Sequence, residues 1–394
     1  MRSANGQATI DYVALIAVVA IVLGLAIAVA PVGAPGIVNA VTGQIRHALC
    51  VVGGGSCPNP RAKPCVVASR RDLHHFAVSL LIVRLDHDRY VLRETMSDGT
   101  VRLTVARSGA AGLGGGFGAG ARVSMKGQGV AVAEEVRAAA QLSLGQGTVY
   151  VARDEREAKA FMRAISDGRT PAPAREVFVD GGLRALAEGG IGSAWLEGAA
   201  ATTIGTRRDR STGQVTVGLS ASGGGWGGLI TAIGGPAGAG DLGVNLGLTL
   251  DRRRRPVELS LSAAGTLSGG VIPPLLKHAL GSASAADMAG RRWELGARLD
   301  LRDPLVRATW ARVRANPANA AALRALAETI RDRAYLDVRA YRTDNSATGV
   351  SAGVGVGVRV GGEYDHVVDQ ARLLAASSRP PAGLWERRLD CVPA

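Results

Sequence analysis

An apolar residue at every second position, sustained across the C-terminal half, constrains this chain most. Leu242, Val244, Leu246, Leu248 and Leu250 alternate with Gly243, Asn245, Gly247 and Thr249. Val215, Val217 and Leu219 alternate with Thr216, Gly218 and Ser220, and Val257, Leu259 and Leu261 with Glu258 and Ser260. Trp293, Leu295, Ala297, Leu299 and Leu301 alternate with Glu294, Gly296, Arg298 and Asp300, and residues 350–360 place Gly or Ser between nearly every apolar side chain. Successive side chains of a strand point to opposite faces, so this spacing predicts long antiparallel strands with one apolar face. The other face is Gly, Ser and Thr, which meets water or packs on a second backbone layer. With 54 glycines and aromatics at 4%, strand faces carry little bulk and backbones can approach closely.

Upstream, residues 77–85 and 89–96 read as strands around a turn at Asp86-His87-Asp88. Ser97-Asp98-Gly99 reads as a hairpin turn into a third strand over 100–106. The glycine-rich stretch 109–129 looks superficially like a nucleotide loop. A phosphate cradle needs a preceding strand, a helix opening at the glycines and a placed lysine or acid, none of which is evident, so it reads as strand or loop. A strand over 148–152 and a helix over 154–166 capped by Asp154 follow, then short helices over 178–187 and 366–375. A helical insert spans 303–333: Asp303 caps and Pro304 opens its first helix, Asn316 caps and Pro317 opens its second. Residues 207–213, 251–256 and 341–349 read as hairpin turns that would make one rim of a common sheet basic. The formal charge is +13, carried by arginine apart from Lys63, Lys126, Lys159 and Lys277.

Before all this stands an apolar run from Tyr12 to Ala30, about 19 residues, enough helix to cross a bilayer. Arg2 precedes it and the next cation is Arg46, which favours the N-terminus inside and the bulk outside. The residues leading into it, Asn5-Gly6-Gln7-Ala8-Thr9-Ile10-Asp11-Tyr12, resemble the class III (prepilin-type) leader of Flp/Tad pilins and pseudopilins. The resemblance covers about the first 30 residues. It implies cleavage between Gly6 and Gln7, with Asp11 standing where the family usually has glutamate and Tyr12 matching. It also implies pilin-like subunits as partners. A plain anchor whose Asp11 reaches the headgroups is the competing reading.

Cys50, Cys57, Cys65 and Cys391 form an even set in a chain placed outside the cytoplasm, which reads as disulfides; Cys50–Cys57 and Cys65–Cys391 are the favoured pairs among three pairings. Their spacing fits no zinc pattern, and His74, His75 and His87 form no ligand set, so no metal and no cofactor are expected. No protease, Walker or nucleophile-elbow motif is present. His74 and His75 adjoin Asp72, but no nucleophile is marked for such a pair to activate. Arg207, Arg208, Arg210, Arg252, Arg253, Arg254 and Arg255 form a basic turn set suited to an anionic polymer or lipid headgroups; without interleaved aromatics, nucleic acid is disfavoured.

The expected fold is α+β and mainly β: a leader and transmembrane helix (1–30), a Cys/Pro-rich connector (31–65), a β meander with short helices (66–193) and a Gly-rich antiparallel β domain (194–394), sheet or sandwich-like. The matching function is a membrane-anchored extracytoplasmic, pilin-like surface component with no catalytic role. A surface-displayed enzyme and an outer-membrane-type β-barrel are the alternatives. Whether the apolar strand faces point into a core or outward decides between the barrel and the rest.

Overall fold

The structure is a computed structural model that describes residues 63–392 apart from 126–127, 172, 193, 230–236, 267–290, 318 and 357. Its strands follow one another around a wall in chain order: β1 (Val66–Leu81), β2 (Val83–Met96), β3 (Val101–Met125), β4 (Gln128–Ala152), β5 (Glu176–Gly192), β6 (Ala194–Asp209), β7 (Val215–Leu229), β8 (Ala237–Leu250), β9 (Pro256–Thr266), β10 (Arg292–Asp300), β11 (Tyr335–Val356) and β12 (Val358–Arg379). Each pairs antiparallel with the next, and β1 pairs with β12 from Ala68↔Arg372 to Leu81↔Arg359, which closes the wall into a barrel. The two-residue β13 (Glu386–Arg387) adds to β12 at Ser377 and Ser378. An open sheet of this size would leave two rows of unpaired N–H and C=O groups; closure pairs them.

A second seam crosses the first. Beyond the end of β2, residues 117–124 of β3 pair antiparallel with Gly349–Val356 of β11 (Gly349↔Ser124 to Val356↔Phe117). Both are odd-numbered strands of an up-and-down wall, so antiparallel pairing requires the far arm of β3 and β4 to fold back. The glycines at 114–116 stand where that arm begins.

All described helices lie at one end of the barrel, called here the helical rim: α1 (Glu155–Ser166) between β4 and β5, α2 (Pro304–Ala315) and α3 (Ala320–Arg333) between β10 and β11. They cover the outer face of the wall. α1 lies over Val101, Leu103, Tyr150 and Ala152. α2 and α3 pack Val306, Val313, Leu326 and Ile330 onto Leu259, Leu299, Leu301 and Leu336. Each such leucine contributes about 1.5–3 kcal/mol of burial. Asp154 and Asp303 cap α1 and α2, accepting from the N–H groups of Glu157 (2.8 Å) and Leu305 (2.9 Å). The cap of α3 is Asn319 rather than Asn316: its Oδ1 accepts from Ala321 (2.9 Å) and Ala322 (3.2 Å), and the helix opens at Ala320, past Pro317.

Several local expectations are corrected, for one shared reason. Residues 86–88 lie within β2, 178–187 within β5, 341–349 within β11 and 366–375 within β12. Each carries charged or polar side chains that read as a turn or as a helix surface, yet they sit on strands whose inward face is polar. The sandwich-like ectodomain is corrected too. In a sandwich the apolar faces meet; here they point away from the enclosed space. Leu144 is 66% exposed and Ile204 62%, while their inward neighbours Ser143 and Thr203 face the interior. The expected transmembrane segment, 12–30, lies outside the described residues, and no described helix is long and apolar enough to cross a membrane.

Candidate functional site: the polar lumen and its rim

The inward face of the wall encloses two unlike spaces. Toward the helical rim, β5 to β10 line an open cavity of about 1240 Å³ with, among others, Glu176, Asp180, Thr203, Ser220, Asn245 and Arg298. Small and polar residues at alternate positions create this space: Gly205, Gly218 and Gly247 stand where larger side chains would fill it. A side chain at 247 would run into the Ser260 hydroxyl, its Cβ falling 2.6 Å from that oxygen. Charges around the cavity are cross-strand pairs. Arg207 reaches Glu176 (3.4 Å) and lies over the Phe178 ring, Arg175 reaches Asp209 (3.1 Å), and Arg102 holds Glu94 at 2.7 and 3.0 Å.

The other space, walled by β1, β2, β3 and β12 with β4 and β5 alongside, is filled. Arg84, Asp86 and Asp88 are buried there with Ser79, Gln141, Ser143 and Ser351. Arg84 binds Asp86 (2.9 Å) and Glu363 (3.5 Å). Asp88 accepts from Arg184 (2.9 Å) and Ser108 (3.1 Å) and meets His75 Nδ1 at 2.5 Å. Removing one partner from such a buried pair strands the other charge, typically at about 3–5 kcal/mol. Nearby, Tyr341 and Arg339 converge on Glu294 at 3.3 and 3.5 Å.

The arginines grouped in the sequence separate in space. Arg207 belongs to the cavity wall. Arg252 donates to the backbone oxygens of Thr212 (2.7 Å) and Ser211 (3.2 Å), joining the β6–β7 and β8–β9 turns. Arg208, Arg210, Arg253, Arg254 and Arg255 are exposed at the rim. Both turns are built by an aspartate: Asp209 Oδ1 accepts from Ser211 and Thr212, and Asp251 Oδ1 from Arg253 and Arg255. Gly213, at φ +70°, has the Arg252 side chain against it, so a Cβ there would be both strained and crowded.

Cys65 and Cys391 are joined at this same rim across 326 residues of sequence. Cys50 and Cys57, and the leader residues Gly6, Gln7, Asp11 and Tyr12, lie outside the described residues. The adjacent histidines His74 and His75 point to opposite sides of the wall. His75 enters the filled space against Asp88, and His74 faces out beside Asp72, where His366 of β12 joins them. Sequence reasoning missed His366 because only barrel closure brings it there.

No family model and no curated protein matches the chain. Among solved structures it is similar to the Pseudomonas putida toluene transporter TodX (8% identity, 77% of this chain and 89% of that one, TM-score 0.14). It is similar also to Pseudomonas aeruginosa OprD (8%, 80% and 97%, TM-score 0.16) and OccK7 (8%, 78% and 100%, TM-score 0.17). Values this low carry no argument about this chain; its barrel rests on its own strand pairing.

Proposed function

We propose that this chain is an outer-membrane-type β-barrel whose rim admits small anionic solutes to a polar lumen. One observation carries the membrane reading: away from the helices the outer face presents a band of exposed apolar side chains, while charges and hydroxyls line the inside, the inverse of a soluble barrel. Phe76, Leu85, Leu113, Leu144, Leu183 and Ile204 all stand more than half exposed on that face. Most of the strands exceed the roughly 9–11 residues a tilted membrane strand needs. Membrane contact therefore moves from a single-pass helix to the wall, and the pilin-like, cell-membrane reading is withdrawn. A pilin-type domain would turn its apolar strand faces inward, and these face out.

The anion preference comes from the mouth. Wall charges are largely paired, so they impose little net field. Arg208, Arg210, Arg253, Arg254 and Arg255 stand exposed around the entrance and would raise the local concentration of anions there. This reading gives the chain no catalytic step. Planar-bilayer recording of the refolded full chain tests it. Stepwise conductance with an anion preference that weakens in Arg253→Ser/Arg254→Ser/Arg255→Ser is expected. Silence from protein that resists alkaline extraction of the membrane contradicts it.

A further inference from the structure

The seam that closes the barrel assembles three metal-ligating side chains on its outer face. In the β1–β12 register His74 lies directly opposite His366, and Asp72 is on the same face one step nearer the helical rim. The two imidazoles stack with centroids 4.4 Å apart and planes within 6°. Both Nε2 atoms converge on one carboxylate oxygen: His366 stands 2.7 Å from Asp72 Oδ1 and His74 3.4 Å from it. One ligand atom from each residue falls within 4.8 Å of the other two.

A fourth neighbour, Tyr364, touches the far side of the His74 ring. His74 Nδ1 is 3.0 Å from the Tyr364 hydroxyl. When Nδ1–H donates to that oxygen, the His74 Nε2 carries its lone pair toward Asp72, which is how the outer partner of a metal-bound histidine fixes its tautomer. The other oxygen of Asp72 faces Arg70, with Nη2 4.0 Å from Oδ2, which leaves Oδ1 to the histidines. Arg70, and Arg89 opposite His74 on β2, put positive charge beside the group, so its affinity falls below that of a closed structural site.

We infer that Asp72, His74 and His366 bind a first-row divalent transition ion such as Zn²⁺, with Tyr364 as a positioning residue. Two imidazole nitrogens and one carboxylate suit Zn²⁺, Ni²⁺ or Cu²⁺, whereas Ca²⁺ and Mg²⁺ take oxygen ligands. Three protein ligands leave a further position for water. The site depends on the β1–β12 register alone, so it stands or falls separately from the solute-uptake reading.

The test is Zn²⁺ equilibrium dialysis of the full chain folded in detergent, with Co²⁺ absorption as a second readout. One ion per chain is expected. His74→Ala and His366→Ala should each weaken binding about tenfold or more, and Tyr364→Phe about tenfold. His87→Ala, on the outer face of β2, should leave it unchanged. Should the alanine variants misfold, Asp72→Asn, which keeps the shape and removes the charge, serves instead. No stoichiometric binding, or unchanged affinity in the His74→Ala/His366→Ala or Asp72→Asn protein, overturns the assignment.

Discussion

The outer face of the wall is apolar in two regions that have opposite fates. Near the helical rim it is covered: Leu259 and Leu299 are fully buried beneath α2 and α3, and Leu103 beneath α1. Across much of the rest, the same alternation leaves Leu144, Leu183 and Ile204 bare. The described helices all pack on the wall near one rim, and the bare band beyond them is the part the proposed reading gives to lipid. On the proposed membrane reading, the contrast marks the level at which the barrel leaves the bilayer, a boundary that neither region reveals by itself.

The largest effect is expected in the covered region. Leu299→Ala should cost about 2–5 kcal/mol, because α2 and α3 cannot fully close the cavity it leaves. Equilibrium urea unfolding in bilayers measures it. Leu144→Ala on the bare face should cost clearly less, and equal costs would erase the distinction between the regions. A charge sharpens it further: Leu144→Arg should cost about 2–4 kcal/mol in a bilayer, whereas on a surface facing water it should stay within about 0.5 kcal/mol.

Smaller effects concern how the cover is attached. Asp303→Ala should loosen the α2–α3 hairpin by about 0.5–2 kcal/mol, read as faster amide exchange over 304–333 with the bare strands unchanged. The carboxyl has a second role, accepting from Arg333 at 2.8 Å and so tying the end of α3 to the start of α2. Burial works to raise its pKa, but the Leu305 N–H and Arg333 outweigh it, and the Asp303 carboxyl sits below its ordinary value. Its folded pKa is depressed, so its contribution is present in full above the unfolded pKa and is lost as pH falls through the folded one. The hairpin should therefore begin to loosen on acidification below about pH 4, and Asp303→Asn should abolish that dependence.

Much of the wall was legible in the sequence, in a specific sense. Period two over 215–219, 242–250, 257–261 and 293–301 appears as β7 to β10, and the Asp154 and Asp303 caps appear where expected. Alternation is symmetric, however. It tells which residues share a face and is silent on whether that face points in or out. That gap also produced the local errors. His366 and Asp369 on β12, like Asp86 and Asp88 on β2, look like solvent-facing residues of a helix or turn. Asp86, Asp88 and Asp369 are lumen residues of long strands: Asp369 pairs with Arg71, its oxygen 2.9 Å from Nε. The Asp72–His74–His366 group was illegible for another reason. Its members are as much as 294 positions apart and meet only across the seam where the last strand returns to the first.

The central claim is the direction of the alternation, and two adjacent positions on β7 test it. Leu219 stands opposite Ile204 on the outer face, where both are exposed, and the Ser220 hydroxyl meets that of Thr203 on the inner one. With the full chain in liposomes, a fluorophore on Leu219→Cys should be quenched by spin-labelled acyl chains and shielded from aqueous iodide, and one on Ser220→Cys should show the reverse. Equal iodide quenching at both positions, or lipid quenching confined to position 220, would contradict a lipid-facing wall around a polar lumen.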